Sequence, residues 1–232
     1  MWNIDLTLVD VARVSRDAYA EAFLRATGRR LVALPQLAGA SDSEIFFESL
    51  ALNEGSPEQD LRQSADPDLL ARYSTELAAA FGARIELLAT RGRVLPGAAD
   101  ALAAVARVPG AIQTVLTGTI RQNAASKLRA FGLDRYLDLE IGGFGSEVYP
   151  KGTLILRSLD LAKEKYGVAL LPADVVYVAD SIRDVVAAKV ARVRCVGVAS
   201  GRSSSAVLRD AGADPVLDDL TRTSAVVAAV TR

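Results

Sequence analysis

The segment VVYVADSIRD, residues 175–184, places five apolar residues directly before two aspartates. The chain opens in a similar way, because residues 2–8 read WNIDLTL and carry Asp5 within a short apolar stretch. In open α/β folds the carboxyl ends of parallel strands meet at one edge of the sheet, and ligands bind there. Two acids at this edge fit a hard cation such as Mg²⁺. The sequence therefore predicts an acidic pocket shared by Asp5 and Asp180, with the amide of Asn3 where a third carboxylate is expected.

The composition excludes several classes of catalytic site. The 232 residues contain no histidine, which removes Ser-His-Asp triads, Cys-His pairs and nearly every kind of zinc site. The single cysteine, Cys195, lies in an apolar run and is interpreted as a thiol of the core. The chemistry of this chain must therefore rely on Asp, Glu, Lys, Ser, Thr and a bound ion.

Charge and hydropathy limit the classes of partner that we expect. The formal net charge is −1 and no basic run occurs, so we expect no nucleic-acid partner. No segment approaches the roughly 18 uninterrupted apolar residues of a membrane span, and the start of the chain lacks a signal-peptide pattern. We therefore expect a cytoplasmic protein without a membrane partner.

From residue 94 onward, strand and helix patterns alternate. The strand patterns cover residues 112–116, 139–142, 175–179 and 195–198, and the helix patterns cover residues 97–108, 123–131, 152–166, 181–193 and 205–211. Strands separated by helical stretches form βαβ units. The sequence therefore predicts the α/β class, with a Rossmann-like parallel sheet that carries helices on both faces.

Residues 11–93 follow a different pattern, which is helical throughout. The first helix covers residues 11–26, the second opens with the capping box SDSE of residues 41–44, and the third opens with Asp66-Pro67 and carries an apolar stripe over residues 69–88. We therefore predict a core of residues 1–10 and 94–232 and an inserted helical cap of residues 11–93.

Four segments in this order resemble the haloacid dehalogenase (HAD) superfamily. They are NIDLTL at residues 3–8, LTG at 116–118, Lys151, and DSIRD at 180–184. Each segment alone is weakly specific, but their order with a helical insertion after the first is specific. The resemblance covers nearly the whole chain and is closest to phosphoglycolate-phosphatase-like members that have a helical cap. It implies a phosphatase that acts on a small phosphorylated metabolite.

The resemblance also implies roles for individual residues. Asn3 matches the position of the nucleophile, which in the family is an aspartate that forms an aspartyl-phosphate. Asp5 matches the acid that protonates the leaving alcohol and then activates water. Thr117, the backbone N–H of Gly118, and Lys151 match the groups that hold the phosphoryl oxygens.

A second set of positions resembles the family's metal site. Asp180 matches a Mg²⁺ ligand, and Asp184 matches a residue that orients the ligands around the metal. The backbone carbonyl of Asp5 and the side chain at position 3 complete the implied set, so the metal positions are Asn3, Asp5, Asp180 and Asp184. The resemblance thus implies Mg²⁺ as the cofactor, in a monomer or homodimer.

Asn3 is the main departure from the family pattern. An amide is neither a competent nucleophile nor an anionic metal ligand, so we expect activity that is absent or impaired. Three explanations remain open: an engineered loss of the nucleophile, a natural pseudoenzyme that binds a phosphate ligand without catalysis, and a sequence error. Only two residues precede Asn3, where the family has a full strand, which suggests a truncated, misassigned or altered start.

Two other classes of protein are less compatible with the sequence. A phospho-acceptor receiver domain would carry its lysine after the acids, whereas Lys151 precedes Asp180. A dinucleotide-binding enzyme would need a glycine fingerprint after its first strand, and the GGFG of residues 142–145 comes after a late one.

Overall fold

A parallel sheet lies at the centre of the chain in this computed structural model, which describes residues 1–53, 55, 66, 68–145 and 151–232. The strands are β1 (Val9–Asp10), β2 (Arg93–Val94), β3 (Val176–Ala179), β4 (Arg194–Val198) and β5 (Val216–Leu217). The helices are α1 (Ala12–Thr27), α2 (Asp42–Leu52), α3 (Leu69–Gly82), α4 (Leu88–Arg91), α5 (Ala98–Val105), α6 (Arg121–Ala130), α7 (Lys151–Tyr166), α8 (Ile182–Val190), α9 (Ser205–Ala211) and α10 (Thr223–Val230).

The central sheet is parallel throughout. Strands β3, β4 and β5 pair side by side in that order. Isolated parallel bridges extend the sheet beyond β3, from Val178 to Trp2, from Trp2 to Val115, and from Leu116 to Gly143. This arrangement confirms the predicted α/β class with a parallel sheet.

The side chains of β3 and β4 alternate between two apolar clusters, one on each face of the sheet. Val178 and Val196 belong to one cluster, whereas Tyr177 and Cys195 belong to the other. This alternation follows from the two-residue period of a strand. The first cluster includes residues of α5 and α10, and the second includes residues of α7 and α8. Helices therefore cover both faces, as predicted.

One predicted strand is shorter in the structure than in the sequence pattern, and the strand predicted at residues 139–142 is replaced by a turn. Only Val115 and Leu116 of segment 112–116 form bridges. Residues Leu139–Ile141 form a 3-10 turn, and the bridge lies at Gly143. The cause is local, because the side chain of Asp138 accepts a hydrogen bond from the Glu140 N–H at 3.0 Å and so favours a turn over an extended backbone.

The helical segment after β1 packs around aromatic residues. Phe46 of α2 stacks on Tyr73 of α3 with ring centroids 4.2 Å apart. The predicted capping box is present, since Ser41 Oγ accepts from the Glu44 N–H at 3.2 Å and Glu44 Oε2 accepts from the Ser41 N–H at 2.7 Å. Among the helices in the described ranges, none has the length and apolar character needed to cross a membrane.

The third predicted helix ends earlier than its apolar stripe suggests. Helix α3 stops at Gly82, a poor helix former, and Ile85 lies in a 3-10 turn with 41% of its surface exposed. Leu88 is buried, but it belongs to the separate helix α4. At the other end, the Pro67 of the predicted Asp66-Pro67 start lies outside the described residues.

The two chain crossings between the helical segment and the rest of the chain lie side by side. Strands β1 and β2 pair antiparallel, with Val9 opposite Val94 and Asp10 opposite Arg93. The Arg93 guanidinium also donates to Asp10 Oδ2 at 3.2 Å. That residues 11–93 form a separate, movable cap remains a prediction.

Candidate active site

A cavity of about 110 Å³ lies between the carboxyl edge of the sheet and the helical segment. It is lined by most of the predicted site residues, namely Asn3, Asp5, Thr117, Gly118, Lys151 and Asp180. From the helical segment it is lined by residues of α1 and by residues 35–40. The structure therefore brings together the four separate sequence segments that carry the resemblance.

The sheet itself sets the spacing between Asn3 and Asp180. The Asn3 N–H donates to the carbonyl of Val178 at 2.9 Å, and Val178 lies two residues before Asp180. This hydrogen bond aligns the first segment with β3, so both side chains emerge at the same edge. The chain then turns sharply at Leu6, whose φ of 60° costs a leucine about 1–2 kcal/mol.

The amide of Asn3 makes the central contacts of the cavity. Its Nδ2 donates to Asp180 Oδ1 at 3.0 Å and to the backbone carbonyl of Asp5 at 3.0 Å. Thr7 Oγ1 donates to the same Asp180 oxygen at 2.8 Å. Burial raises the pKa of Asp180 to about 6, and the negative charge of Asp184 contributes in the same direction.

Asp5 is held by a lysine that the sequence analysis missed. Lys127 Nζ lies 2.9 Å from Asp5 Oδ1 and 2.7 Å from Asp5 Oδ2, and it donates to Thr119 Oγ1 at 3.1 Å. Thr119 Oγ1 in turn donates to Asp5 Oδ2 at 3.0 Å. The Lys127 side chain is only 3% exposed. Its position on the buried face of α6, next to Leu128 and three residues after Ala124, is the sequence signal that could have identified it.

Lys151 pairs with Asp184, which does not line the cavity. Asp184 is completely buried and accepts hydrogen bonds from Ser181 Oγ at 2.6 Å and Tyr177 Oη at 2.8 Å. Asp184 therefore lies behind the lining of the cavity and contacts the lining residue Lys151. Its predicted role near a metal stays a prediction.

The loop of residues 117–119 forms another wall of the cavity. Thr117 is buried, and its Oγ1 accepts from the Thr119 N–H at 3.1 Å. Gly118 lies directly under the start of α2, and a Cβ at this position would overlap the carbonyl oxygen of Ala40. The loop therefore needs a residue without a side chain at position 118, where the helical segment approaches the sheet.

Asp42, at the start of α2, ties the helical segment to this loop. Its N–H donates to the Gly118 carbonyl at 2.8 Å, and its Oδ2 accepts from the Ile120 N–H at 2.8 Å. The Tyr19 hydroxyl donates to Asp42 Oδ1 at 2.6 Å. Burial raises the pKa of Asp42, while Lys127 and these donors oppose that shift.

The residues present do not fit a Mg²⁺ site. Mg²⁺ prefers oxygen ligands in octahedral geometry, and the predicted metal positions are Asn3, Asp5, Asp180 and Asp184. The Asn3 amide donates hydrogen bonds to the Asp5 carbonyl and to Asp180 Oδ1. Asp184 does not line the cavity and pairs with Lys151. Within the described ranges, no group of three or more Cys, Asp or Glu side chains could hold a metal ion.

Comparison with known proteins identifies a family model and solved structures that this chain resembles. A family model described as haloacid dehalogenase-like hydrolase matches residues 1–189. Among solved structures, CbbY from Rhodobacter sphaeroides in complex with phosphate is 24% identical, with a TM-score of 0.63 over 98% of this chain and 97% of that chain. A hydrolase from Pseudomonas syringae is also 24% identical, with a TM-score of 0.64 over 94% of this chain and 92% of that chain.

A predicted phosphoglycolate phosphatase from Haemophilus somnus is 20% identical, with a TM-score of 0.61 over 97% of this chain and 95% of that chain. At these identities the likeness shows the fold. A search of curated proteins finds no match.

The ion pair between Lys127 and Asp5 predicts an asymmetric effect on stability. Asp5→Ala leaves a lysine that is 3% exposed without its carboxylate, which should lower the free energy of unfolding by about 3–5 kcal/mol. Lys127→Met leaves a carboxylate that is 38% exposed and can be hydrated, so we expect a smaller loss of about 1–3 kcal/mol. Urea unfolding of both variants measures the difference, and a larger loss for Lys127→Met would contradict the assignment of Lys127 as the buried partner.

Proposed function

The chain belongs to the haloacid dehalogenase-like hydrolase family, and we propose that its cavity binds a small phosphomonoester through a phosphatase-type site. In this proposal, hydrolysis through an aspartyl-phosphate is impaired in this sequence, because an amide stands at the position of the nucleophile. The observation that carries the proposal is the convergence of Thr117, Gly118 and Lys151 with the Asn3 amide in one cavity.

The charge of the cavity supports an anionic ligand. Among the residues that the structure describes, four cationic side chains and three carboxylates line it: Arg16, Lys127, Lys151 and Arg202 against Asp5, Asp10 and Asp180. Backbone N–H groups and lysines are the groups that stabilise phosphoryl oxygens. The cationic side chains of this lining therefore favour an anionic ligand such as a phosphate group.

Asp5 has the surroundings expected of the proton-transfer group. Its carboxylate lines the cavity, and Lys127 and Thr119 fix its orientation through three hydrogen bonds. A carboxyl group held in this way can deliver a proton to the leaving oxygen and later accept one from water. Asp5 can serve this role only if a nucleophile first attacks the phosphorus.

A second candidate function is phosphate-ligand binding without catalysis. The observation that favours it is the pair of hydrogen bonds from the Asn3 side-chain nitrogen to Asp5 and Asp180. An amide is not a competent nucleophile toward phosphorus. Binding would persist in such a pseudoenzyme, because Thr117 and Lys151 are unchanged. A cytoplasmic location and a monomeric or homodimeric state remain predictions for both candidates.

The substitution Asn3→Asp tests the proposed function. It should produce hydrolysis of p-nitrophenyl phosphate in the presence of Mg²⁺, whereas the unaltered chain should be slower by about 10⁴–10⁶ because it lacks a covalent nucleophile. Adding Asp5→Asn to the Asn3→Asp protein should remove the gain.

The control for folding is the circular dichroism spectrum of each variant. A folded Asn3→Asp protein that hydrolyses none of a broad panel of phosphomonoesters would reject the phosphatase-type site. Phosphate binding by the unaltered chain would then support the second candidate function, which is phosphate-ligand binding without catalysis.

We further propose that residues 11–93 act as a lid on a core of residues 1–10 and 94–232. Lids of this kind exclude water and select the substrate. Only two crossings join the parts, and they pair as β1 and β2. Asp42 supplies a contact that could hold the lid closed, because it bonds to Gly118 and Ile120 beside the phosphate-binding loop.

The contact between Asp42 and Ile120 can be tested by hydrogen exchange. Asp42→Ala removes the acceptor of the buried Ile120 N–H, so its exchange measured by NMR should become about ten-fold faster or more. Asp42→Asn is the matched control, because its amide oxygen can still accept this hydrogen bond. Equal exchange of the Ile120 amide in the two variants would contradict a closing role for Asp42.

A further inference from the structure

We infer that the Asn3 amide takes the place of a divalent cation in this cavity, so that the phosphate ligand binds without Mg²⁺. The inference rests on the proposed function, because it concerns the same phosphate ligand. It differs from the family resemblance, which implies Mg²⁺ as the cofactor. Three features of the site lead to it.

The first feature is where the two amide hydrogens point. Nδ2 carries two hydrogens and lies 3.0 Å from each of two oxygens, the Asp5 carbonyl and Asp180 Oδ1. Both distances are ordinary for N–H···O hydrogen bonds. The resemblance assigns the Asp5 carbonyl and the Asp180 carboxylate to a metal. The amide thus supplies the partial positive charge that a cation would otherwise bring to them.

The second feature is that a metal at Asp180 would have to displace hydrogen bonds that are already formed. Its Oδ1 accepts from both Asn3 and Thr7, and Thr7 is completely buried. Its Oδ2 packs against Gly201, where a Cβ would overlap the oxygen. A Mg²⁺ ion would have to break the two bonds of Asn3 and give up water, which it does reluctantly.

The third feature is the balance of charge. The charge of Lys151 is matched by the buried Asp184, and Asn3 adds no negative charge next to Asp180. An aspartate at position 3 would add a negative charge and place a second carboxylate against Asp180. Such a cavity needs a divalent cation before it can accept a phosphate dianion, whereas the cavity with Asn3 does not.

Calorimetry with inorganic phosphate and the full chain tests the inference. The dissociation constant of the unaltered protein should agree within about twofold between excess EDTA and millimolar MgCl₂, because no metal takes part in binding. Mg²⁺ titrated alone should give no binding heat. The Asn3→Asp protein should bind Mg²⁺ and should bind phosphate at least about ten-fold more weakly in EDTA than in MgCl₂.

Gln36→Glu is the matched control for charge. Gln36 is exposed and lines the cavity, so the substitution adds the same negative charge without placing a carboxylate against Asp180. This variant should weaken phosphate binding equally in EDTA and in MgCl₂. A Mg²⁺ requirement in Gln36→Glu as large as that of Asn3→Asp would contradict the specific role of the amide.

The two proposals fail in different ways. Phosphate binding by the unaltered protein that is ten-fold tighter in MgCl₂ than in EDTA overturns the inference but leaves the proposed function intact. Absence of phosphate binding in both buffers overturns the proposed function and the inference together. The comparison of buffers uses only the unaltered chain, so it decides the inference even if Asn3→Asp fails to fold.

Discussion

The pair of hydrogen bonds from the Asn3 amide to Asp5 and Asp180 is the interaction on which the rest of the site depends. It joins the first segment of the chain to the loop after β3, at the edge where the cavity forms. A carboxylate at position 3 would have no hydrogen to donate to either oxygen. Without a cation, the two carboxylates would repel each other in a buried place, so one residue decides between a metal site and a hydrogen-bonded one.

The acids of the site have different hydrogen-bond partners, and this arrangement explains how the cavity tolerates them. Lys127 pairs with Asp5, Lys151 pairs with Asp184, and the donors to Asp180 are neutral. Buried carboxylates need such partners, because desolvation otherwise favours their neutral forms. Asp180 accepts hydrogen bonds only from neutral donors, which is consistent with its raised pKa of about 6.

The sequence predicted the parallel sheet and the shared pocket of Asp5 and Asp180 because both follow from short-range patterns, whereas the family resemblance implied the places of Thr117 and Lys151. Strand β3 is a run of apolar residues that ends in Asp180, and the edge of a parallel sheet brings such ends together. The helical pattern could have identified Lys127 as a buried lysine, but its partner Asp5 is 122 residues away, and no local pattern reveals that pairing. The strand predicted at 139–142 failed because the Asp138 side chain competes for the backbone of the following residues.

The most direct measurement is anomalous diffraction from crystals soaked with Mn²⁺ and inorganic phosphate, with Mn²⁺ standing in for Mg²⁺. If the amide replaces the metal, phosphate will lie against Thr117, Gly118 and Lys151, and no anomalous peak will appear between the Asp5 carbonyl and Asp180. A strong peak at that position, with the Asn3 side chain turned so that Oδ1 faces the ion, would contradict it.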